Sequence, residues 1–488
     1  MQVKCDKKEQ LVEIQSNLEA DINIEGAESI ISVMAEARVV ATEAMAQEAR
    51  IDYRITYKVL YVSADGIACV SQDFSGMTGV KSRLITPKSH VKIALNVGDI
   101  EYIGTHKLHI KGILEVAGYV INAMEIEPMD KDDNIFAKTE LVSVEHIEIV
   151  SDQEIIASDN VEIKEGIDSI LTYDTTIIVK SATSGAETCA IEGECCTYMM
   201  YLTKGNLYSR AITMPFSGEC LASNVQEGME TYLDGIADST TLTLIGGEGG
   251  SEVRVEVVVT ISGYCVATEE VAIMVDAYSK TQELGCEYEE VLLQDNVCYT
   301  GIREKLSGSV RLGDEKKRIR SVLAVSKPSV SGISVINNGV LQVDGVASVS
   351  VIYLDEEEHY TEVVATLPFS YGVTRDFECG SGLYAVVKVC DIQARMRHND
   401  EIDIMGEMRL EVYGSKDKYI KFIKSITEFG QLEENDVAIS LYIVREGETL
   451  FDVAKAMLSD EDTLLQLNPE ISLPLQAGEK VLLYRQLD

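Results

Sequence analysis

Three short patterns recur along the chain at nearly constant intervals, and this repetition constrains the fold more than any other feature. The first is a serine followed by two aliphatic residues, the second a strand-like run ending in tyrosine, and the third a Phe-Ser pair. In chain order they lie at Ser29, Ser169 and Ser321, at Tyr61, Tyr201 and Tyr353, and at Phe74, Phe216 and Phe369. The serine and tyrosine copies are 140 and 152 residues apart, and the phenylalanine copies are 142 and 153 apart. Because all three patterns keep one register, we predict three copies of one domain.

The sequence pattern of each copy predicts β-strands. Residues 253–259 place valine at every odd position, which is the period of a strand with one buried face. The turn residues 63–66 (Ser-Ala-Asp-Gly) separate two strand-like runs and predict a hairpin. In the third copy, a long apolar run from residue 339 ends at the acidic turn 355–358. Copies of roughly 100 residues with this patterning are typical of β-sandwiches. We therefore predict a mainly β protein of three sandwich-like domains in tandem, followed by a small α+β module.

The division of the chain follows from the repeats. We expect the segments between copies to be additional strands that pack on or between the sandwiches, because they also alternate apolar and polar residues. The predicted parts are an N-terminal arm (1–26), repeat 1 (27–122), a β-rich connector (123–165), repeat 2 (166–270), a second connector (271–317), repeat 3 (318–415), a hinge (416–440) and the C-terminal module (441–485).

Charge and cysteine content exclude several classes of protein. The chain has 81 acidic and 42 basic residues, for a net charge of −39, so its surface should repel nucleic acid and anionic membranes. Its eleven cysteines, an odd number without a C-x-x-C motif, are typical of buried thiols in a reducing compartment. The neighbours Cys195 and Cys196 should point to opposite faces of a strand, so we predict neither a metal nor a redox site there. The first residues carry no apolar signal segment, and no run is apolar enough to cross a membrane. We expect a cytoplasmic protein.

The search for catalytic motifs gives no candidate. No phosphate-binding loop, H-E-x-x-H or G-x-S-x-G motif occurs, and the glycine-rich stretch 246–251 lacks a lysine. His106 and His109 should face opposite sides of a strand, which prevents them from sharing a metal. The acidic run 130–134 lacks the glycine and glutamate that a calcium loop needs at positions 6 and 12. We therefore expect no enzymatic activity, no cofactor and no bound metal.

The C-terminal module shows a helical pattern. Thr449 can cap a first helix through Leu450 and Met457, and Asp462 or Thr463 can start a second helix. Asn468-Pro469 ends that helix, because proline disfavours helix at the residue before it. With strand-like runs on both sides, this pattern resembles the LysM domain, a βααβ module best known for binding N-acetylglucosamine polymers.

The resemblance implies a ligand groove between the loop after the first strand and the loop after the second helix. Glu448 and Phe451 stand where the family usually has aspartate and often has tryptophan. We expect the apolar side chains of Phe451, Ile471 and Leu473 to be exposed and to supply a hydrophobic contact. The candidate binding residues are Gly447, Glu448, Thr449, Leu450 and Phe451 in the first loop, and Asn468, Pro469, Ile471 and Leu473 in the second.

Three β repeats followed by one LysM domain resemble a family of clostridial spore-coat morphogenetic proteins with SPOCS-type repeats. That resemblance implies a protein of the mother-cell cytoplasm that is recruited to the forespore surface. Its LysM domain would dock onto the ATPase of the coat basement layer, a SpoIVA-like protein. Its acidic repeats would form a multivalent scaffold that can recruit further coat proteins.

Two other functions stay open. A cell-wall protein that binds peptidoglycan or chitin-type N-acetylglucosamine polymers would need export, and binding to such oligosaccharides would identify it. A structural protein of a phage-tail-like apparatus, where LysM domains also occur, would be recognised from its neighbouring genes.

Overall fold

The computed structural model describes residues 2–129, 135–246, 250–313, 318–337, 341–373, 381–432 and 439–484. Most of these residues lie in strands, and the two helices of the described chain both belong to the C-terminal module. The prediction of a mainly β protein with a small α+β module at its end is therefore confirmed. The acidic run 130–134, Cys379, positions 247–249 of the glycine-rich stretch and positions 433–438 of the predicted hinge lie outside the described residues.

The first unit is built from two main sheets and a separate two-stranded sheet of β1 and β9. One sheet has the order β4-β5-β6, and in the other β8 pairs with β2 and β3 along one edge and with β7 along the opposite edge. Ser63 and Gly66 pair across the predicted hairpin turn. The strands are β1 (Val3–Lys4), β2 (Lys7–Gln10), β3 (Ile14–Asn23), β4 (Ala27–Met45), β5 (Glu48–Ser63), β6 (Gly66–Lys81), β7 (His90–Ile103), β8 (Lys107–Asn122) and β9 (Glu125–Ile126).

The second unit repeats this plan with longer strands. One sheet has the order β11-β12-β13, and the other has the order β10-β15-β14. The alternation at residues 253–259 is confirmed, since Val253, Val255, Val257 and Val259 are all fully buried. The strands are β10 (Phe136–Ile167), β11 (Ser169–Ser184), β12 (Thr188–Thr203), β13 (Asn206–Leu221), β14 (Glu230–Ile245) and β15 (Gly250–Tyr278).

The third unit has one interrupted strand. Both β17 and β18 pair with the same edge of β19, at its two ends, whereas β20 pairs with the other edge. Pro328 lies between β17 and β18 and has no N–H to donate to a strand ladder. Together the two short strands take the place that β4 or β11 fills alone. The strands are β16 (Gln282–Arg311), β17 (Ile319–Val325), β18 (Ser329–Asn337), β19 (Leu341–Asp355), β20 (Tyr360–Val373), β21 (Ser381–His398) and β22 (Glu401–Gln431).

In every unit, the first long strand pairs with the last one. The pairs are β3 with β8, β10 with β15, and β16 with β22, all antiparallel. The ranges predicted as an arm and as two connectors thus supply a strand to a sheet of the unit that follows them. The predicted hinge range begins inside β22, which continues to Gln431. The precise domain borders stay a prediction.

A separate core fills the space between the two sheets of each unit. In the second unit, for example, Ile177, Met199 and Phe216 of one sheet pack with Val255 and Ile261 of the other. Equivalent clusters fill the first and third units. Each unit is therefore a two-layer β-sandwich, as its patterning predicts.

The three units also share a core of their own. Leu60, Met200 and Ile352, which are separated by the repeat intervals, are buried in one cluster with Ile31 and Ala324. Leu171 and Leu323 from the first repeated pattern pack against the same cluster. The register that recurs in the sequence therefore brings equivalent residues of all three units together.

Charged side chains border this shared core. The Lys58 ammonium of the first unit bonds the Asp174 carboxylate of the second, and both side chains are largely buried. Glu36 of the first unit lies 3.7 Å from the ammonium of Lys327 of the third. Burial raises the pKa of Asp174. Burial would also raise the pKa of Glu36. The positive charges of Lys327 and Arg38 outweigh this effect and lower the Glu36 pKa to about 2.

A second meeting point surrounds Lys8 of β2. Its ammonium lies 4.5 Å from the ring centres of Tyr119 and Tyr264 and 5.1 Å from those of Tyr384 and Tyr413. It also donates a 2.6 Å hydrogen bond to the Tyr384 hydroxyl. The four rings come from β8, β15, β21 and β22, so one lysine contacts all three units.

Candidate functional site

The C-terminal module consists of a two-stranded sheet and two helices. Its elements are β23 (Ile439–Ile443), α1 (Leu450–Met457), α2 (Glu461–Leu467) and β24 (Lys480–Tyr484). The strands are antiparallel neighbours, and Val481 and Leu483 of β24 pack on Val453, Ala454 and Leu464 of the helices. This is the βααβ arrangement that the sequence predicts.

The start of each helix is fixed by a side chain. Thr449 and Asp452 form a reciprocal capping box at α1, as expected for Thr449. Burial alone would raise the pKa of Asp452, but hydrogen bonds from the Thr449 hydroxyl and backbone hold it below its ordinary value. The start predicted for α2 at Asp462 or Thr463 is wrong, because Asp460 caps this helix by accepting a 2.7 Å hydrogen bond from the Thr463 N–H.

Two polar candidates for the groove serve the fold instead. The Glu448 carboxylate accepts 2.8 Å hydrogen bonds from the Tyr442 hydroxyl and the Arg445 N–H. The Asn468 amide is buried, donates to the carbonyls of Leu464 and Leu482 and accepts from the Leu482 N–H, each at 2.8 Å. Asn468 thus fastens the end of α2 to β24. Its hydrogen-bonding groups are used inside the module.

Phe451 does not form an exposed contact surface, contrary to expectation. It is 6% exposed, and Leu450 is equally buried. The Phe451 ring packs edge-on against Tyr278 at 5.2 Å between ring centres, and Tyr278 in turn stacks on Phe136. Tyr278 and Phe136 are the paired end residues of β15 and β10. The face of α1 that carries Phe451 is therefore covered by the second unit.

Polar contacts hold the same junction. The Tyr278 hydroxyl donates a 2.6 Å hydrogen bond to the Ser459 carbonyl, and the Lys455 ammonium bonds the Asp276 carboxylate at 2.6 Å. Lys280 donates to the Asp460 carboxylate, and this bond is the main cause that lowers the pKa of Asp460 to about 2. The module is thereby docked on the end of the β10–β15 strand pair by one aromatic contact and three polar ones.

The remaining predicted site residues are exposed or half-buried in the two loops of the module. Gly447 and Thr449 are exposed in the first loop, and Pro469 and Leu473 are exposed in the second, with Leu473 at 58%. Ile471 is half-buried and packs against the module core. Four of the nine predicted residues are therefore exposed enough to contact a ligand, and three of these four are apolar or glycine.

A second surface was missed by the sequence reasoning. Ile439, Leu441 and Ile443 of β23 are between 54% and 59% exposed, and Tyr484, which pairs with Ile439, is 51% exposed. They lie on the side of the two-stranded sheet that faces away from the helices. We call this surface the outer sheet face. The alternation of apolar residues at 439, 441 and 443 could have indicated it, because one face of a strand repeats every second residue.

The family comparison agrees with this geometry. The sequence model of the LysM domain family matches residues 442–483. The C-terminal module is a LysM domain. The match leaves the three β units outside it, and no curated protein and no solved structure matches the chain. Within the described residues, neither LysM helix nor any other is long and apolar enough to cross a membrane. A LysM domain indicates binding of carbohydrate such as peptidoglycan, or of a protein partner.

Proposed function

We propose that this chain is a non-enzymatic assembly adaptor of the spore-coat morphogenetic, SipL-like type. Its LysM domain binds a protein, which by the family resemblance is the SpoIVA-like ATPase of the coat basement layer. It acts in the mother-cell cytoplasm at the forespore surface. The three β units serve as the scaffold from which the LysM domain projects and to which further coat proteins bind.

The outer sheet face is the observation that carries this proposal. Four large apolar side chains stand together on a two-stranded sheet, with more than half of each exposed. A contiguous apolar surface of this kind is typical of a protein-binding site. A buried aromatic or aliphatic cluster at the centre of an interface supplies most of its binding free energy.

The residues of the predicted sugar groove also favour a protein partner, although less strongly than the outer sheet face does. Glu448 and Asn468 use their polar groups within the module, and Phe451 is covered by Tyr278. Fewer free hydrogen-bonding side chains remain for the hydroxyl and amide groups of a glycan. Binding of an apolar protein surface does not require such side chains.

The test is a binding titration of the full-length chain against the SpoIVA-like ATPase. We expect Leu441→Glu to weaken binding at least tenfold, because a charge in an apolar contact loses about 1.4 kcal/mol or more. Leu221→Glu, at a 73% exposed position of the second unit, is the matched control and should bind as wild type. Equal binding by wild type and a folded Leu441→Glu variant would overturn the assignment of this face.

A glycan-binding function is the second candidate, and the exposure of Gly447, Pro469 and Leu473 in the two predicted groove loops favours it. Titration of the same proteins with N-acetylglucosamine oligomers separates the two. Sugar binding that is lost on Leu473→Glu but kept on Leu441→Glu would support the cell-wall function. No sugar binding, together with capture of the ATPase, would support the adaptor.

A further inference from the structure

Two cysteines and two carboxylates meet where the second unit contacts the third. Cys196 belongs to β12, Cys390 to β21, and Glu407 to β22, while Asp391 follows Cys390 directly. Cys390 and Glu407 are cross-strand partners, so their side chains lie on one face of the sheet. Cys196 lies near this group, because the Thr213 hydroxyl contacts both the Cys196 sulfur and an Asp391 carboxylate oxygen.

Three of these donor groups are close enough to share one ion. The Cys390 sulfur and one carboxylate oxygen from each of Asp391 and Glu407 lie within 4.8 Å of one another. Cys196 is 1% exposed, whereas both carboxylates are exposed. The group therefore has a buried thiol end and an open carboxylate end through which an ion can enter.

A local break in β21 places Asp391 in this group. Neighbouring residues of a regular strand point to opposite faces, so Cys390 and Asp391 would normally diverge. Here the register shifts between Cys390 and Gln393, and Asp391 has a left-handed φ of 51°. Bulges of this kind change the direction of a side chain and are common at functional sites. The bulge brings the Asp391 carboxylate beside the Cys390 thiol.

Two hydroxyl groups complete the surroundings. Thr213 lies 3.7 Å from the Cys196 sulfur and 3.4 Å from an Asp391 carboxylate oxygen. Tyr198 is 5% exposed, and its buried hydroxyl has no hydrogen-bond partner among the described residues. It lies close enough to Cys196, Cys390 and Asp391 for their charges to act on it. A buried hydroxyl without a partner is costly unless a further group completes the site.

We propose that Cys196, Cys390, Asp391 and Glu407 form a binding site for a divalent cation of the zinc class. Cys390, Asp391 and Glu407 supply three mutually close ligands, and Cys196, which the Thr213 hydroxyl links to Asp391, supplies the fourth. Two thiolates and two carboxylates suit zinc, whereas calcium and magnesium prefer oxygen ligands alone. The Tyr198 hydroxyl would orient a ligand from outside the coordination sphere. Because the ligands come from two units, the bound ion would link the second unit to the third. Binding releases the thiol protons as the thiolates form.

The experiment uses the reduced, full-length chain after removal of metals with a chelator, with Co²⁺ as the spectroscopic probe. We expect one Co²⁺ per chain with thiolate charge-transfer bands and the strong visible bands of tetrahedral cobalt, both removed by added Zn²⁺. Glu407→Gln, at an exposed position, should weaken Zn²⁺ binding about tenfold or more, and Tyr198→Phe by a similar factor. The double variant that carries Cys196→Ser and Cys390→Ser should lose the charge-transfer bands.

The matched control is Cys286→Ser, which removes a partly buried thiol far along the chain from the site and should leave both spectrum and affinity unchanged. Circular dichroism of every variant checks that it has folded. A reduced wild type without thiolate bands would overturn the proposal. So would cobalt binding that survives in the folded double cysteine variant, since the ion would then be held by the acidic surface.

Discussion

At the scale of single residues, Phe451 shows how the tertiary structure can reassign a side chain. Its position in the LysM sequence indicates a ligand-facing aromatic residue, yet it is covered by Tyr278 of the second unit. Tyr278 also donates to the Ser459 carbonyl just after α1. One tyrosine therefore contributes an aromatic and a polar contact to the same junction, and it is the residue whose loss should release the LysM domain.

We predict that Tyr278→Ala weakens the docking of the LysM domain by about 2 kcal/mol, from the lost burial of the ring and its contact with Phe451. Hydrogen exchange of α1, measured by mass spectrometry on the full chain, should then become roughly thirtyfold faster. Tyr208→Ala, at a 41% exposed tyrosine of β13, should leave this exchange unchanged. Unchanged exchange in Tyr278→Ala would show that the junction does not protect α1.

At the scale of secondary-structure elements, the start of α2 is tied to another unit. Asp460 caps the helix through Thr463 and also receives the Lys280 ammonium, which lies just beyond the end of β15. A helix cap normally stabilises only its own helix, typically by about 1 kcal/mol. Here the same carboxylate contributes to the helix and to its docking, so its ionisation should affect both.

We predict that this contribution depends on pH. The folded-state pKa of Asp460 is lowered to about 2, mainly by the Lys280 hydrogen bond, whereas an unfolded aspartate titrates near 3.9. A group whose pKa is lowered by folding stabilises fully above its unfolded pKa. The stabilisation is lost as the pH falls from about 4 toward 2.

Thermal unfolding between pH 2 and pH 7 measures this effect. Asp460→Asn keeps a good helix cap but loses the charge, so its melting temperature should fall less steeply below pH 4 than that of wild type. Asp462→Asn removes an exposed carboxylate of the same helix and is the control. Parallel pH profiles for wild type and Asp460→Asn would contradict the prediction.

At the scale of the whole molecule, the three units meet in the shared core, around Lys8, and in a third buried cluster that includes Val3, Ile273 and Phe422. The accessible surface is 25671 Å², compared with about 18,000 Å² for a compact monomer of this mass. The excess agrees with long strand pairs that extend beyond the sandwiches, pack on one another around Phe422 and carry the LysM domain at one end. Such a shape exposes the outer sheet face while the LysM domain stays fixed to the scaffold.

We predict that Lys8 holds the units together at the second meeting point. Lys8→Met keeps the aliphatic stem but removes the cation from four tyrosine rings, which should cost about 2 kcal/mol for a desolvated site. Denaturant unfolding can be followed by tyrosine fluorescence, since the chain contains 22 tyrosines and no tryptophan. The unfolding midpoint should fall relative to wild type.

The control is Lys4→Met, at a 65% exposed lysine near the same end of the chain, and its midpoint should equal that of wild type within error. A Lys8→Met variant as stable as Lys4→Met would exclude this role.

The sequence alone determined the features that depend on local periodicity. Alternation predicts the buried valines at 253–259, turn residues predict the hairpin at 63–66, and the Thr449 cap and Asn468-Pro469 stop predict two LysM helices. The repeat intervals predict three copies, because equivalent strands keep the same pattern of buried positions.

Only the tertiary structure decided which faces are covered. Cys196 and Cys390 are 194 residues apart, and Phe451 and Tyr278 are 173 apart, so no local pattern relates either pair. Their contacts arise from the packing of one unit on another, where the side chains on both surfaces determine the fit. For the same reason the predicted ligand surface at Phe451 is buried, whereas the outer sheet face remains open.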